Sequence, residues 1–283
     1  MLYWQFFCYQ ANVYLEYYRL TLPPFDITPN PRFLFLTEKH REAINHLLYG
    51  IRERKGYVQL TGEVGAGKTT VCRAMLRQLD SHFATALITN PVLSANEMMR
   101  AIATEFGLDA KTMDRHDTVA AINNFLVERV QQCGDSVLII DEAQNLSEEL
   151  LEQVRLLSNL EMENRKLLQI ILLGQPELRD RLNSPRLRQL RQRITVRYHL
   201  QPLTRNEVGD YIQHRLGLAG AKGRPSFTKP ALWRICNYSG GIPRMVNAVC
   251  DKAMLAGFVE QSDTINFRMV GRAIRELEGN IHL

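Results

Sequence analysis

Gly62-Glu63-Val64-Gly65-Ala66-Gly67-Lys68-Thr69 decides the reading of this chain. It matches the phosphate-loop pattern G-x-x-x-x-G-K-[ST] in full. Glycines let such a loop wrap closely, so that successive main-chain N–H groups point at phosphates. The next helix adds its positive N-terminal end. Lys68 is expected at the β- and γ-phosphates of ATP, and the Thr69 hydroxyl on Mg²⁺. The expected binding set is Gly62, Glu63, Val64, Gly65, Ala66, Gly67, Lys68, Thr69 and Thr70.

The flanks agree with that reading. Tyr57 to Leu60 reads as a strand and Lys68 to Leu79 as a helix, the context such a loop requires. Upstream, Ala43, Ile44, Leu47, Leu48 and Ile51 recur at helical spacing over 38–54, and Gly56 stops that helix. Downstream, Ala84 to Thr89, Val137 to Ile140, Leu167 to Leu173 and Ile194 to His199 read as further strands. Helices are expected from the Ser94/Glu97 capping box to Glu105, over Thr118–Gln132, over Glu148–Glu161 and over Pro185–Gln192. Short apolar runs bounded by turn residues suit strands buried on both faces. Alternation with helices predicts an α/β fold, a parallel sheet covered on both sides.

After Pro202 the strand pattern stops. The Thr204/Glu207 capping box opens a helix to Leu216, and helices fit Pro230–Tyr238, Pro243–Phe258 and Phe267–Leu277. The expected division is therefore 13–201 as an α/β nucleotide-binding domain and 202–283 as a small helical lid. Residues 1–12, MLYWQFFCYQAN, differ in character from the chain after them, and Val13 is expected to mark the usual beginning. The segment PPFDITPNPRFLF at Pro23–Phe35 predicts an ordered, extended lead-in.

Asp141-Glu142 stands at the end of the apolar run Val137–Ile140, where ligands bind in open α/β sheets. Asp141 is the expected Mg²⁺ partner through water, and Glu142 the group that polarises the attacking water. An acidic strand cap is the bland alternative, which a complete phosphate loop upstream disfavours. Gln175, after the strand Leu167–Leu173, would orient water if that strand lies beside the Asp141 strand; a plain turn residue is the alternative. Arg186, Arg188, Arg191 and Arg193 crowd one region. They fit a solvated basic face, a phosphate-backbone contact, or a finger reaching a neighbouring subunit's nucleotide, with Arg193 first and Arg191 second for the last role. Arg244 comes after Gly241-Ile242-Pro243 near a helix start, a costly place for a cation without an anion opposite.

Composition is that of an ordinary globular chain: 283 residues, 45% hydrophobic, 23% charged, net charge +5. The mild basicity admits nucleic acid or an anionic surface and requires neither. Cys8, Cys72, Cys133, Cys236 and Cys250 lack zinc-like spacing and read as reduced thiols of a cytoplasmic protein. No run of 18 apolar residues is present to span a bilayer.

Together these residues resemble the AAA+ ATPases. Gly62–Thr69 matches their Walker A and Val137–Glu142 their Walker B. Gln175 falls at sensor 1, Arg193 near the finger, and Gly241–Arg244 at a sensor 2 GxPR. Within that superfamily PPFDITPNPRFLF, HREAINHLLYGI, KGYVQLTGEVGAGKTT, IIDEAQNL, LLGQPEL and LRQLRQRI are most similar to general secretion pathway protein A. Mannose-sensitive pilus biogenesis ATPases and transposition ATPases are also similar. The resemblance implies an ATP-driven homo-oligomer that powers or assembles a cell-envelope secretion or pilus machine, cytoplasmic and peripheral to the inner membrane. The lead-in near Pro31 to His40 is expected to help enclose adenine. An ATP-gated DNA-binding regulator of transposition is the second function implied. Full-length secretion proteins of this type continue into a membrane span and a periplasmic peptidoglycan-binding domain. This chain is therefore expected to be either a piece of such a protein or a shorter relative.

Overall fold

A computed structural model describes residues 13–26, 28, 30–158, 161–162 and 165–279. The extension expected at 1–12 lies outside them. The described residues form two units, one of 38–201 and one in which the segment up to Thr37 joins Pro202 onward. The first helix, α1 (Val13–Tyr18), belongs to the second unit.

The α/β unit opens with α2 (Glu38–Arg52), then β1 (Tyr57–Gly62), α3 (Lys68–Leu76), β2 (Phe83–Ile88), α4 (Ala95–Glu105), α5 (Arg115–Gln131) and β3 (Asp135–Ile140). It continues with α6 (Glu148–Leu157), a two-residue antiparallel pair, β4 (Glu161–Met162) with β5 (Arg165–Lys166), then β6 (Leu168–Gly174), α7 (Pro176–Leu182), α8 (Arg188–Arg193) and β7 (Ile194–Leu200). The main sheet runs β2-β3-β6-β1-β7 with every pair parallel. All residues of β1, β3 and β6 are buried, as their largely apolar runs predict, with Gln59, Thr61, Asp135, Ser136 and Gln169 the polar members. The edge strand β7 instead exposes Thr195 and Arg197 while burying Ile194 and Val196.

One face of the sheet packs Leu138, Ile140, Ile170 and Leu172 against Met98, Ile102, Ile122, Leu126 and Val154 of α4, α5 and α6. The alternate residues face α2 and α3. A Cβ on Gly50 of α2 would lie 2.2 Å from a Val58 methyl, so the helix sits directly on β1. Helix starts follow their caps. Ser94 accepts from Glu97 N with the reciprocal bond present, and Asp114 accepts from Asp117 N at 2.8 Å. That cap starts α5 at Arg115, earlier than the expected Thr118, whose hydroxyl donates to Asp114 O. The helix expected to reach Glu161 ends at Leu157, and Pro176, at the first position of α7, starts a helix that the sequence reading lacked. Pro185–Gln192 divides into a 3₁₀ turn, Pro185–Leu187, and α8.

The helical unit contains α9 (Arg205–Leu218), α10 (Lys229–Ser239), α11 (Pro243–Val259) and α12 (Phe267–Leu277). Two corrections arise here. First, residues 13–37 do not join the α/β unit: Tyr14, Tyr18, Phe25 and Phe33 fill the same core as Val208, Ile212, Val249 and Met254. The guanidinium of Arg215 donates to Pro24 O and lies 4.7 Å from the Phe33 ring, which fastens the lead-in to α9. Second, strands do not stop at Pro202, because β8 (Ser226–Phe227) and β9 (Thr264–Ile265) form a short parallel pair. The unit boundary at Thr37 also divides the stretch Pro31–His40 expected near adenine.

Candidate functional site

β1 delivers Gly62 to the carboxyl edge of the sheet, and the chain turns through Gly65 (φ 78°) and Gly67 (φ 104°) into α3. Side chains at those two positions would strain the backbone. A Cβ on Gly62 would lie 2.9 Å from Leu200 O, so the loop is also pressed against β7. Gly67, as the residue before α3, supplies no side-chain cap. The first-turn amides of α3 are thus left to an anion. Buried His40 stands beside the turn, 3.3 Å from where a Gly67 Cβ would be.

Lys68 is buried, and its Nζ donates to Gly62 O at 2.9 Å and Glu63 O at 3.1 Å. Burial holds its pKa below the usual lysine value, while the charges of Glu142, Asp141, Glu63 and Glu177 oppose that fall. The ammonium bonds to carbonyls and makes no ion pair in these bonds. Thr69 Oγ1 donates to Asp141 Oδ2 at 2.7 Å. A hydroxyl and a carboxylate are the hard oxygen donors that magnesium takes from a protein when phosphates and water complete its shell. The donor set fits that ion. Thr70, next on α3, is exposed, as are Glu63 and Val64 of the loop.

β3 lies between β2 and β6, and Ile140 is in register with Leu172. Asp141 N donates to Ile88 O at 2.8 Å, which fixes the strand end. Glu142 takes a left-handed conformation (φ 51°), uncommon outside glycine, and its N–H donates to Asp141 Oδ1 at 2.9 Å. Its carboxylate Oε2 accepts from Gln175 Nε2 at 3.2 Å and from Gln144 Nε2 at 2.5 Å. The tips of β1, β3 and β6 thus bring Lys68, Thr69, Asp141, Glu142 and Gln175 into one bonded neighbourhood.

Two residues there were missed by sequence reasoning. Gln144 links Glu142 to the Gln175 main chain, and Arg181 donates to the carbonyls of Gln144 and Leu146. Both contacts are long-range or turn-dependent, and neither residue type carries a spacing signal.

The four arginines of the cluster have different surroundings. Arg193 Nη1 donates to Ser158 Oγ at 3.1 Å and Arg155 O at 3.5 Å, at the end of α6. Arg191 gives its main-chain carbonyl to Arg197. Arg186 is exposed with Glu148 at 3.3 Å, and Arg188 is exposed. Arg244 is the second residue of α11, exposed, in the helical unit, and its assignment to a nucleotide rests on the GxPR motif.

Residues 51–182 match the model of a family described as AAA domain. General secretion pathway protein A of Aeromonas hydrophila is 44% identical over 271 residues, which are 94% of this chain and 49% of that protein. The chain spans about half the length of this curated relative. Among solved structures, Drosophila ORC bound to DNA matches with TM-score 0.70 at 17% identity, covering 94% of this chain and 66% of that one. The Thermotoga maritima RuvB Holliday junction branch migration motor matches with TM-score 0.53 at 20% identity, covering 86% and 70%. No helix among the described residues is long and apolar enough to cross a membrane. The phosphate loop, the strand order and these likenesses agree: residues 51–182 match an AAA domain on a fold shared with ORC and RuvB, and the chain is similar to general secretion pathway protein A over 94% of its length.

Proposed function

We propose that this chain binds ATP with Mg²⁺ and hydrolyses it to ADP and phosphate. The carrying observation is the bond from Thr69 Oγ1 to Asp141 Oδ2, beside a buried Lys68 on a glycine loop. Lys68 would leave the Gly62 and Glu63 carbonyls for the β- and γ-phosphates. Thr69 and Asp141 would hold the metal, which when bound offsets phosphate charge. Glu142 would accept the proton of the attacking water, and Gln175 would orient that water. If wild-type protein releases phosphate from ATP and Glu142→Gln lowers that rate by roughly two orders of magnitude while still binding ATP, the reading stands. Equal rates from both proteins would remove it.

The work served is proposed by likeness to the secretion relative: driving or assembling a cell-envelope secretion or pilus machine, as a homo-oligomer at the cytoplasmic side of the inner membrane. A finger for a neighbouring copy would come from Arg193 or Arg191. For Arg193 that role requires breaking its bonds to Ser158 and Arg155. Arg191 meets Arg197 through its main chain only in the bond described.

Exposed Arg186 and Arg188, with a net charge of +5, support the second reading, ATP-gated DNA binding. Duplex binding that weakens steeply with salt would favour it, and no binding at low salt would exclude it.

A further inference from the structure

We propose that Gln144 is a positioning residue for hydrolysis, holding the Glu142 carboxylate and the tip of β6 in one fixed geometry. This rests on the ATPase reading and adds to it a residue outside the loop and strand motifs. The Gln144 side chain faces two partners of opposite kind. Its Nε2 donates to Glu142 Oε2 at 2.5 Å, and its Oε1 accepts from Gln175 N at 3.1 Å. Only one orientation of the carboxamide satisfies both, because the flipped amide would set oxygen against carboxylate and N–H against N–H. The register of β6 therefore determines which end of Gln144 meets the base.

The Gln144 and Gln175 amides converge on the same carboxylate oxygen, Oε2. Two donors on Oε2 fix the carboxylate plane and keep Oε1 for the proton of water. Gly174 makes room for this arrangement: a Cβ there would lie 3.0 Å from Gln144 Oε1 and 2.9 Å from Leu178 Cβ. The turn itself is held separately. Arg181 donates to the main-chain carbonyls of Gln144 and Leu146, contacts that persist whatever side chain stands at 144. The side chain of Gln144 is accordingly free to act on Glu142, and its removal leaves the turn in place.

The test measures steady-state and single-turnover ATP hydrolysis, ATP affinity and Tm for wild type, Gln144→Ala, Gln144→Glu, Glu142→Gln and the double variant Glu142→Gln/Gln144→Ala. Gln144→Ala is expected to lower kcat by roughly ten- to a hundredfold, the scale of losing orientation of a general base, with ATP Kd and Tm unchanged. Gln144→Glu, which sets carboxylate against carboxylate, is expected to fall at least as far. In the Glu142→Gln background the alanine change is expected to add nothing, since residues acting as one unit are non-additive. Rates within about twofold of wild type, a faster Gln144→Ala, a loss expressed as weaker ATP binding, or an equal further loss in the double variant would each overturn the proposal. A wild type that hydrolyses nothing would end the ATPase reading itself, whereas a hydrolysing wild type with an unaffected variant ends this inference alone.

Discussion

Thr69 Oγ1 lies 2.7 Å from Asp141 Oδ2, although 72 positions separate the two residues in the chain. The approach is a consequence of topology. β1 leads into the phosphate loop, β3 ends at Asp141, and only β6 lies between them in the sheet. Parallel strands place both carboxyl ends on one edge, where a helix N-terminus can hold phosphates while a hydroxyl and a carboxylate share their cation.

That pair makes the metal requirement a direct readout. Thr69→Ala and Asp141→Asn are each expected to raise the Mg²⁺ concentration for half-maximal ATP hydrolysis by roughly tenfold, a loss on the scale of removing a metal-site partner. Thr69→Ser keeps the hydroxyl and is expected to stay near wild type. An unchanged magnesium titration in both disruptive variants would separate these residues from the metal.

Gly241 adopts φ 76°, and a Cβ there would lie 2.0 Å from Leu203 O, where Leu203 N also donates to Gly241 O at 2.9 Å. A backbone carbonyl cannot step aside as a flexible side-chain end can. Gly241→Ala is therefore expected to destabilise the helical unit by about 2 kcal/mol or more, through a main-chain clash and positive-φ strain. Chemical denaturation followed at Trp233 in α10 checks it, and a stability equal to wild type would show that the turn relaxes freely.

Cys72 sits on α3 directly after the phosphate loop. Burial, reinforced by the negative charge of Asp141 and opposed by Arg73, pushes its thiol up to about 12. The thiolate is the reactive form, so at pH 7.5 Cys72 is expected to resist iodoacetamide in the native protein. Cys133, which is exposed, is expected to be alkylated. Peptide mapping that finds Cys72 labelled as fast as Cys133 would show that α3 opens readily.

Much of the α/β unit was legible because buried parallel strands announce themselves as short, largely apolar runs and because Ser94, Asp114 and Ser147 cap the helices that follow them. The turn from β1 into α3 was legible, since the glycine conformations at Gly65 and Gly67 and the adjoining helix are local. The destination of Tyr14, Tyr18, Phe25 and Phe33 was not. Aromatic residues ahead of the first strand state that they will be buried, and nothing local states in which core. Pro176 reads equally as a turn or as a first helical residue, so α7 escaped notice, and with it the Arg181 contacts to the Gln144 turn. β8 and β9, two residues each, are too short to carry a period. Gln144 and Arg181 meet their partners through the register of β3 and β6, which pairing determines and composition does not.

The central claim is that the Gly62–Thr69 loop closes on a triphosphate through the Lys68 ammonium. Calorimetric titration of Mg²⁺-ATP into wild type and Lys68→Ala tests it most directly. The account predicts saturable binding by wild type and at least roughly a hundredfold weaker binding by Lys68→Ala, about 2.7 kcal/mol, with the fold retained. Equal affinities in the two proteins, or no binding by wild type, would contradict it.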